Sequence, residues 1–314
     1  MNSPVTFLFT SVGRRVELMR HFLAYQEQHP DRLRVLGTEI DPHAPAAQVL
    51  GEAVTIVPRV DDPSYPETMA EICHSQRVDA AFPLIDPDIP RLGRDDVEVP
   101  LASVTPAAAE MVSDKLETFT WLSENGVPTP HSWVPQVCGE PSVPCFMKPR
   151  RGSGGVDAFK VRDEVEYDFF RRYIPQPIAQ ELLAGPEVTV DVIVGRRREV
   201  LATVQRKRLA VRGGEVTRGE VISDPVIDGA VQATVRALEP IGPVTVQGMY
   251  AEDGSFKVTE INARMGGGLP LAIAAGVPVA DLLVRSWAGE TVEPVRPEVG
   301  LRMVRFDDSL FYRP

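Results

Sequence analysis

The N-terminal part of the chain alternates between short apolar runs and stretches of helical periodicity, and this alternation restricts the fold more than any other feature. Val5–Thr10 is apolar, and over 14–28 Val16, Leu18, Met19, Phe22 and Leu23 recur at helical spacing. Strands are then expected at 33–38, 53–57 and 78–84, with a helix over 65–75. Strand, helix, strand in this order predicts a small parallel α/β domain whose strand ends are open to a ligand. The turn Ser11-Val12-Gly13-Arg14-Arg15 falls where such folds bind ligands at a helix N-terminus, making Arg14 a candidate substrate contact. A single glycine does not match the dinucleotide fingerprint, and a tight turn with solvated arginines has the same pattern.

After Thr105-Pro106 the pattern changes. Ser113-Asp114-Lys115 opens a helix that Gly126 and Pro128 stop, 128–144 is proline-rich and irregular, and from Cys145 onward strands dominate. The chain of 314 residues suits two or three packed units at roughly 100 to 200 residues each. With 33 Lys plus Arg against 44 Asp plus Glu, the formal charge is -11, so no long-range attraction to nucleic acid or an anionic membrane is expected. Any bound anion must be held by local groups. No basic residue precedes the apolar stretch 5–9, and no apolar run approaches the roughly 20 residues of a membrane span. Cys73, Cys138 and Cys145 lack paired spacing, which disfavours a disulfide framework or a zinc site and makes a cytoplasmic location the default. The five histidines all lie at or before His131, so chemistry in the C-terminal half must run without histidine.

Three segments carry that chemistry. Phe146-Met147-Lys148-Pro149-Arg150-Arg151-Gly152-Ser153-Gly154-Gly155 delivers a lysine from a strand and then a loop whose glycines let backbone N–H groups approach phosphate oxygens. A hairpin turn would look the same. Ala179-Gln180-Glu181-Leu182-Leu183 leads through Gly185-Pro186 into Glu187-Val188-Thr189-Val190-Asp191, a second strand pair. In Val258-Thr259-Glu260-Ile261-Asn262-Ala263-Arg264 the residues Glu260, Asn262 and Arg264 have period two and share a strand face. Gln247 on the expected partner strand reaches that face, giving oxygen donors suited to magnesium shared with a phosphate, with manganese as the alternative. A solvated face would alternate in the same way.

Lys115, Lys148 before the glycine loop, Gly185-Pro186-Glu187 and Glu260-Ile261-Asn262-Ala263-Arg264 occur in the order and approximate spacing of the ATP-grasp superfamily, which the chain resembles. Within it the chain is similar to short, stand-alone relatives of the carbamoyl-phosphate synthase large subunit, from Ser11-Val12-Gly13-Arg14-Arg15 almost to the C-terminus. The resemblance implies an N-terminal α/β domain over 1–110 and an α+β ATP-grasp domain over 111–314 with a mobile lid at about 117–178. It implies that Lys115 and Lys148 contact nucleotide phosphates, that Ser153, Gly154 and Gly155 cover them, that Gln180, Glu181 and Leu183 meet adenine, and that Glu187 holds ribose. Gln247, Glu260 and Asn262 would bind magnesium; many relatives have aspartate at the first of these positions.

The activity implied is ATP-dependent ligation of a small carboxylic acid, amino acids included, to an amine through an acyl phosphate, releasing ADP and phosphate. Phosphoryl transfer needs positioning and charge neutralisation, so lysine, arginine and magnesium suffice without histidine. Arg264 is the first candidate to stabilise the transferred group, with Arg206 and Arg208 next. Gly267 and Gly268 offer N–H groups to a substrate carboxylate or simply form a tight turn, and Asp86 offers a carboxylate to a substrate ammonium, with helix capping the alternative for it and for Asp88. The rival readings are a synthase-like subunit that phosphorylates carbamate or another carboxylate, and an ATP-binding regulatory protein without turnover. Small-molecule substrates are the expected partners, and a homodimer is the base-rate assembly.

Overall fold

The computed structural model describes residues 3–135, 142–152 and 154–312. The first sheet contains β1 (Val5–Thr10), β2 (Leu33–Glu39), β3 (Val54–Ile56) and β4 (Ala80–Pro83), parallel and ordered β3-β2-β1-β4. Helices α1 (Val16–Gln28), α2 (Pro45–Leu50) and α3 (Tyr65–Gln76) connect these strands, and the short α4 (Asp88–Leu92) follows β4. The order reverses at β1, which opens a crevice beyond the carboxyl ends of β1 and β4. This is the parallel α/β unit that the alternating pattern predicts; α2 and α4 are too short to give a periodic signal.

The Ala-rich stretch after Thr105 is itself a helix, α5 (Pro106–Ser113), capped by Thr105, whose hydroxyl accepts from the Ala108 N–H. Asp114 ends it and caps α6 (Lys115–Glu124), accepting from Leu116 and Glu117. Sequence periodicity had located the second helix; the cap between them is what turns one helical region into two. A small antiparallel sheet ordered β5-β8-β6-β7 follows, from β5 (Ser132–Trp133), β6 (Cys145–Pro149), β7 (Phe159–Val161) and β8 (Pro177–Glu181), with α7 (Glu164–Tyr173) packed on it. Leu122 of α6 is buried with the next sheet and not with this one.

The largest sheet is ordered β13-β12-β9-β10-β11-β14 and is antiparallel throughout. Its strands are β9 (Glu187–Val194), β10 (Val200–Arg212), β11 (Glu215–Ile222), β12 (Val244–Tyr250), β13 (Phe256–Asn262) and β14 (Arg302–Val304). Helix α8 (Pro225–Leu238) precedes β12, and α9 (Leu269–Ala274) and α10 (Val279–Trp287) follow β13. Alternation along β9 sorts its residues: Val188, Val190, Val192 and Val194 enter a core with α8, α5 and α6, while Glu187, Thr189 and Asp191 face the opposite side.

A second core joins the first sheet to the large one. Phe7, Phe9 and Phe82 pack with Trp287 of α10 and with Ile193, Leu201 and Val204 of the large sheet. The Trp287 ring lies 5.8 Å from Phe7 and 5.5 Å from Phe82, both edge-to-face. Among the described residues no helix is long and apolar enough to cross a membrane.

Candidate active site

The polar face of the large sheet is built by register. Gln247 of β12 lies opposite Glu260 of β13 and Thr189 of β9, Thr245 lies opposite Asn262 and Asp191, and Arg206 of β10 lies opposite Thr189. A bulge decides the first of these pairings. Gly248 pairs with Val258 while Gln247 pairs with Glu260, leaving Thr259 as the extra residue. Without it Gln247 would face Thr259, and Glu260 would fall out of step with Gln247. Gly248 makes the bulge feasible, because a Cβ there would sit 2.4 Å from the Phe256 ring and 2.5 Å from the Lys257 carbonyl oxygen.

Three arginines occupy this neighbourhood with different partners. Arg206 forms a bidentate pair with Asp191, Nη2 to Oδ1 at 2.9 Å, and both side chains are only 2% exposed. Its guanidinium lies beneath the turn after β13: a Cβ on Gly268 would come within 2.0 Å of Arg206 Nη1. Arg206, expected as a catalytic group, is paired with the buried Asp191 and lies under the glycine turn. Arg208 donates to Glu187 Oε1 at 2.5 Å, Gln247 Oε1 at 3.2 Å and the Gly214 carbonyl at 2.8 Å, bridging the expected ribose and metal residues. Arg264, just beyond β13, forms a bidentate pair with Asp86 at 2.8 and 2.7 Å and donates to Asn262 Oδ1 at 3.1 Å. Asp86 comes from the carboxyl end of β4, so the first sheet completes this end of the site.

Lys148 on β6 is buried, with its side chain among Glu260, Glu187 and Lys115. Burial pushes its ammonium down to about 8; Glu260 and Glu187 oppose that shift and Lys115 adds to it. No hydrogen bond to its nitrogen occurs among the described residues, yet that nitrogen is not one of their solvent-excluded unpaired atoms, so an arriving anion can reach it. Lys115 donates to the Gly152 carbonyl at 2.6 Å. Gly152, Gly154 and Gly155 have φ of 128°, 71° and 71°, which L side chains rarely adopt. Gly154 rests on the turn between β10 and β11, where a Cβ on Gly214 would come within 2.9 Å of it. Ser153 lies outside the described residues.

At the other end of the cleft, Gln180 is buried and donates to Ser132 Oγ at 2.8 Å, so its side chain serves the small sheet. The Glu181 carboxylate takes two bonds from Lys257 Nζ at 2.6 and 2.7 Å, and its N–H donates to the His131 carbonyl at 2.9 Å. The Leu183 N–H has no protein partner among the described residues and stays available to a base edge.

The SVGRR turn places its two arginines differently. Arg14 is exposed, whereas Arg15 is turned inward at 20% exposure, 3.7 Å from Glu215. Burial lowers the Arg15 pKa, and the neighbouring charges of Arg264 and Arg305 lower it further, against Glu215 and Asp86. Ser11 and Gly13 take φ of 53° and 48°, and buried carboxylates fix that geometry. Glu39 accepts the Gly13 N–H at 2.6 Å; Asp88, fully buried, accepts from Thr10 Oγ1 at 2.5 Å and Tyr65 OH at 3.0 Å. Asp88 is therefore a support of the turn. Arg305, beyond β14, donates to the Gly267 carbonyl, to Glu17 at 3.3 Å and to Glu215 at 3.4 Å. Gly267 admits this crowding: a Cβ there would be 2.3 Å from both Arg15 Nη1 and Glu215 Oε2.

Sequence reasoning named both arginines of the turn for anion binding and singled out Arg14; it missed Arg305 and Asp191. Period two along β9 from Glu187 marks Asp191; nothing local marks Arg305.

Among the described residues no group of three His, Cys, Asp or Glu forms a self-sufficient metal site. One carboxylate and two amides, Glu260 with Gln247 and Asn262, fit magnesium that draws its remaining oxygens from a nucleotide and water. Asn262 Oδ1 keeps a second lone pair beside its bond from Arg264.

Comparison with known proteins agrees with this architecture. Residues 174–308 match the family model described as ATP-grasp in the biosynthetic pathway with Ter operon, and residues 7–106 match that of the PylC-like N-terminal domain. The ATP-grasp model covers 135 of the 314 residues, and the likeness to that superfamily rests on this part of the chain. A carbamoyl-phosphate synthase of Methanobrevibacter smithii is 28% identical over 160 residues, 46% of this chain and 41% of that protein. The alignment thus spans about two fifths of that relative. An L-amino acid ligase from Bacillus licheniformis superposes with a TM-score of 0.70 at 19% identity, covering 91% of this chain and 75% of the other. The biotin carboxylase domain of the Hydrogenobacter thermophilus 2-oxoglutarate carboxylase, solved with MgADP and bicarbonate, gives 0.74 at 16% identity, covering 96% and 73%. These structures share the fold.

Proposed function

We propose that the protein is an ATP-dependent carboxylate-amine ligase acting on small metabolites. The observation that carries this reading is the meeting of the buried Lys148 of the small sheet with the Glu260–Gln247 pair of the large sheet. A cation awaiting an anion faces oxygen donors awaiting a hard metal, the pairing that a magnesium nucleotide satisfies on both sides.

In this reading Lys148 and Lys115 hold phosphate oxygens, Gly154 and Gly155 cover them, and Leu183 and Glu187 place base and ribose. Glu260, Asn262 and Gln247 hold magnesium, whose charge would offset that building up on the transferred phosphoryl group. A substrate carboxylate oxygen attacks the γ-phosphorus, ADP leaves, and an amine then displaces phosphate from the acyl phosphate. Arg264, oriented by Asp86, faces the transferred group; Arg208 holds Glu187 and Gln247 in place. Arg15 and Arg305 set a positive wall beside the Gly266–Gly268 turn, suited to a substrate carboxylate.

The test is release of ADP and phosphate from Mg-ATP with pooled carboxylic and amino acids. Release that needs two added components, with a new condensed mass, supports ligation. Release with bicarbonate or a carboxylate alone supports the synthase-like alternative, which the Methanobrevibacter relative favours. AMP as product overturns both.

A further inference from the structure

Beside the Arg264–Asp86 pair, the turn after β13 meets a second group of charges. Arg15, at the start of α1, has its Nη1 against Gly267, three residues on from Arg264, and the charges of Arg264, Arg305 and Asp86 all act on it. Arg206 and Arg264 each grip one carboxylate through two nitrogens. Arg15 and Arg305 do not. Among the described residues the Arg15 guanidinium donates no hydrogen bond, and the carboxylate paired with it, Glu215, stands at 3.7 Å. Arg305 reaches Glu17 and Glu215 only at 3.3 and 3.4 Å, and its Nε is buried without a partner. Glu215, the carboxylate between the two arginines, is 55% exposed and follows Gly213 and Gly214, which take φ of 57° and 79° at the turn from β10 to β11. The two arginines come from the start of α1 and from beyond β14, elements that supply none of the groups assigned to nucleotide or metal.

We propose that Arg15 and Arg305 bind a second oxyanion of the acid substrate, the one that is not activated, and that Glu215 occupies that position in the free protein. The proposal rests on the ligase reading above and narrows its acid to one that carries two anionic groups. One carboxylate must lie at the transferred phosphoryl group, facing Arg264. Arg264 already spends its fork on Asp86, whereas Arg15 and Arg305 keep donors free, and a planar guanidinium matches carboxylate and phosphate alike. An uncharged tail on the acid would leave these half-buried donors unpaired; an oxyanion takes them up. Glu215 gives way readily, because an ion pair this long and this exposed holds weakly, and its carboxylate can turn into water.

Pairs of acids that differ in the second charge test this: glutamate with glutamine, glutarate with its monoamide, and O-phosphoserine with serine, the last separating phosphate from carboxylate. Calorimetric titration with magnesium and adenylyl imidodiphosphate present measures their binding. In at least one pair the more anionic member should bind about tenfold or more tightly than its partner, as expected for gained hydrogen bonds between charged groups. Arg15→Met should bring that ratio close to one. Glu215→Gln should tighten the more anionic member by about threefold, since it removes a like charge from the position. If Glu215 serves only to hold the two arginines, E215Q weakens binding instead, and the opposite sign separates the two roles. Equal affinity within every pair, an unchanged ratio in R15M, or weaker binding in E215Q overturns the proposal. Hydroxamate formation from the bound acid, ATP and hydroxylamine is read alongside: binding that follows these rules without hydroxamate or ADP sinks the ligase reading and leaves the two-arginine site standing.

Discussion

At the scale of single residues, Lys148 and Glu260 define the site most sharply. The Lys148 ammonium, ordinarily at 10.5, is pushed down to about 8 by burial. Between these values the unfolded chain holds more protons than the folded one, so this group makes the ligand-free protein more stable as pH rises from about 8 to 10.5; below 8 the cost of the buried charge is fully present. Nucleotide affinity runs the other way, since the lysine must be charged to hold a phosphate, and it should fall above about pH 8. Lys148→Met is expected to weaken ATP binding and to flatten both pH dependences; urea unfolding and nucleotide titration from pH 7 to 10 measure them. Glu260→Gln should lower ADP formation by a factor of about 100 or more, with an unchanged circular dichroism spectrum. Normal turnover in that variant removes Glu260 from the metal set. These two residues were legible in the sequence because each stands in a local motif. Arg15 was not separable from Arg14, since two adjacent residues at a helix start differ only in which way the turn points them.

At the scale of elements, the turn after β13 and the bulge within β13 decide what the strands present. Gly268 lets the backbone pass over the buried Arg206–Asp191 pair, and Gly268→Ala puts a methyl group where Arg206 Nη1 now lies. Displacing the arginine leaves Asp191 buried without its partner, at a cost of about 3–5 kcal/mol, readable as a lower urea midpoint. A variant as stable as wild type would show that the turn has room to move. Sequence alternation gave Glu260, Asn262 and Arg264 a common face, but it could not place Gln247 opposite Glu260. That pairing needs the extra residue at Thr259, and a bulge leaves no periodic trace in the partner strand.

At the scale of the whole molecule, the first sheet shares a hydrophobic core with the C-terminal region. Trp287, from the C-terminal region, fills a core with Phe7 and Phe82 of the first sheet, and Asp86 reaches across to Arg264. Trp287→Ala should cost about 3–5 kcal/mol and lower one common melting transition for both sheets. Two separate calorimetric transitions in the wild type would instead show independent units. This coupling has a functional side, because it holds the strand ends that carry Asp86 against the face that carries Glu260.

The sequence by itself determined the parallel α/β beginning, the strand-rich remainder and the ordered lysine, glycine-loop and Glu-Ile-Asn-Ala-Arg elements, because each depends on periodicity or on contiguous residues. Only the tertiary structure decided which arginines are free and which are committed: Arg206 to Asp191, Arg264 to Asp86, and Arg15 beside Arg305. The two ion pairs join residues 15 and 178 positions apart in the chain, and a charge finds its partner through packing and register rather than through its neighbours in sequence.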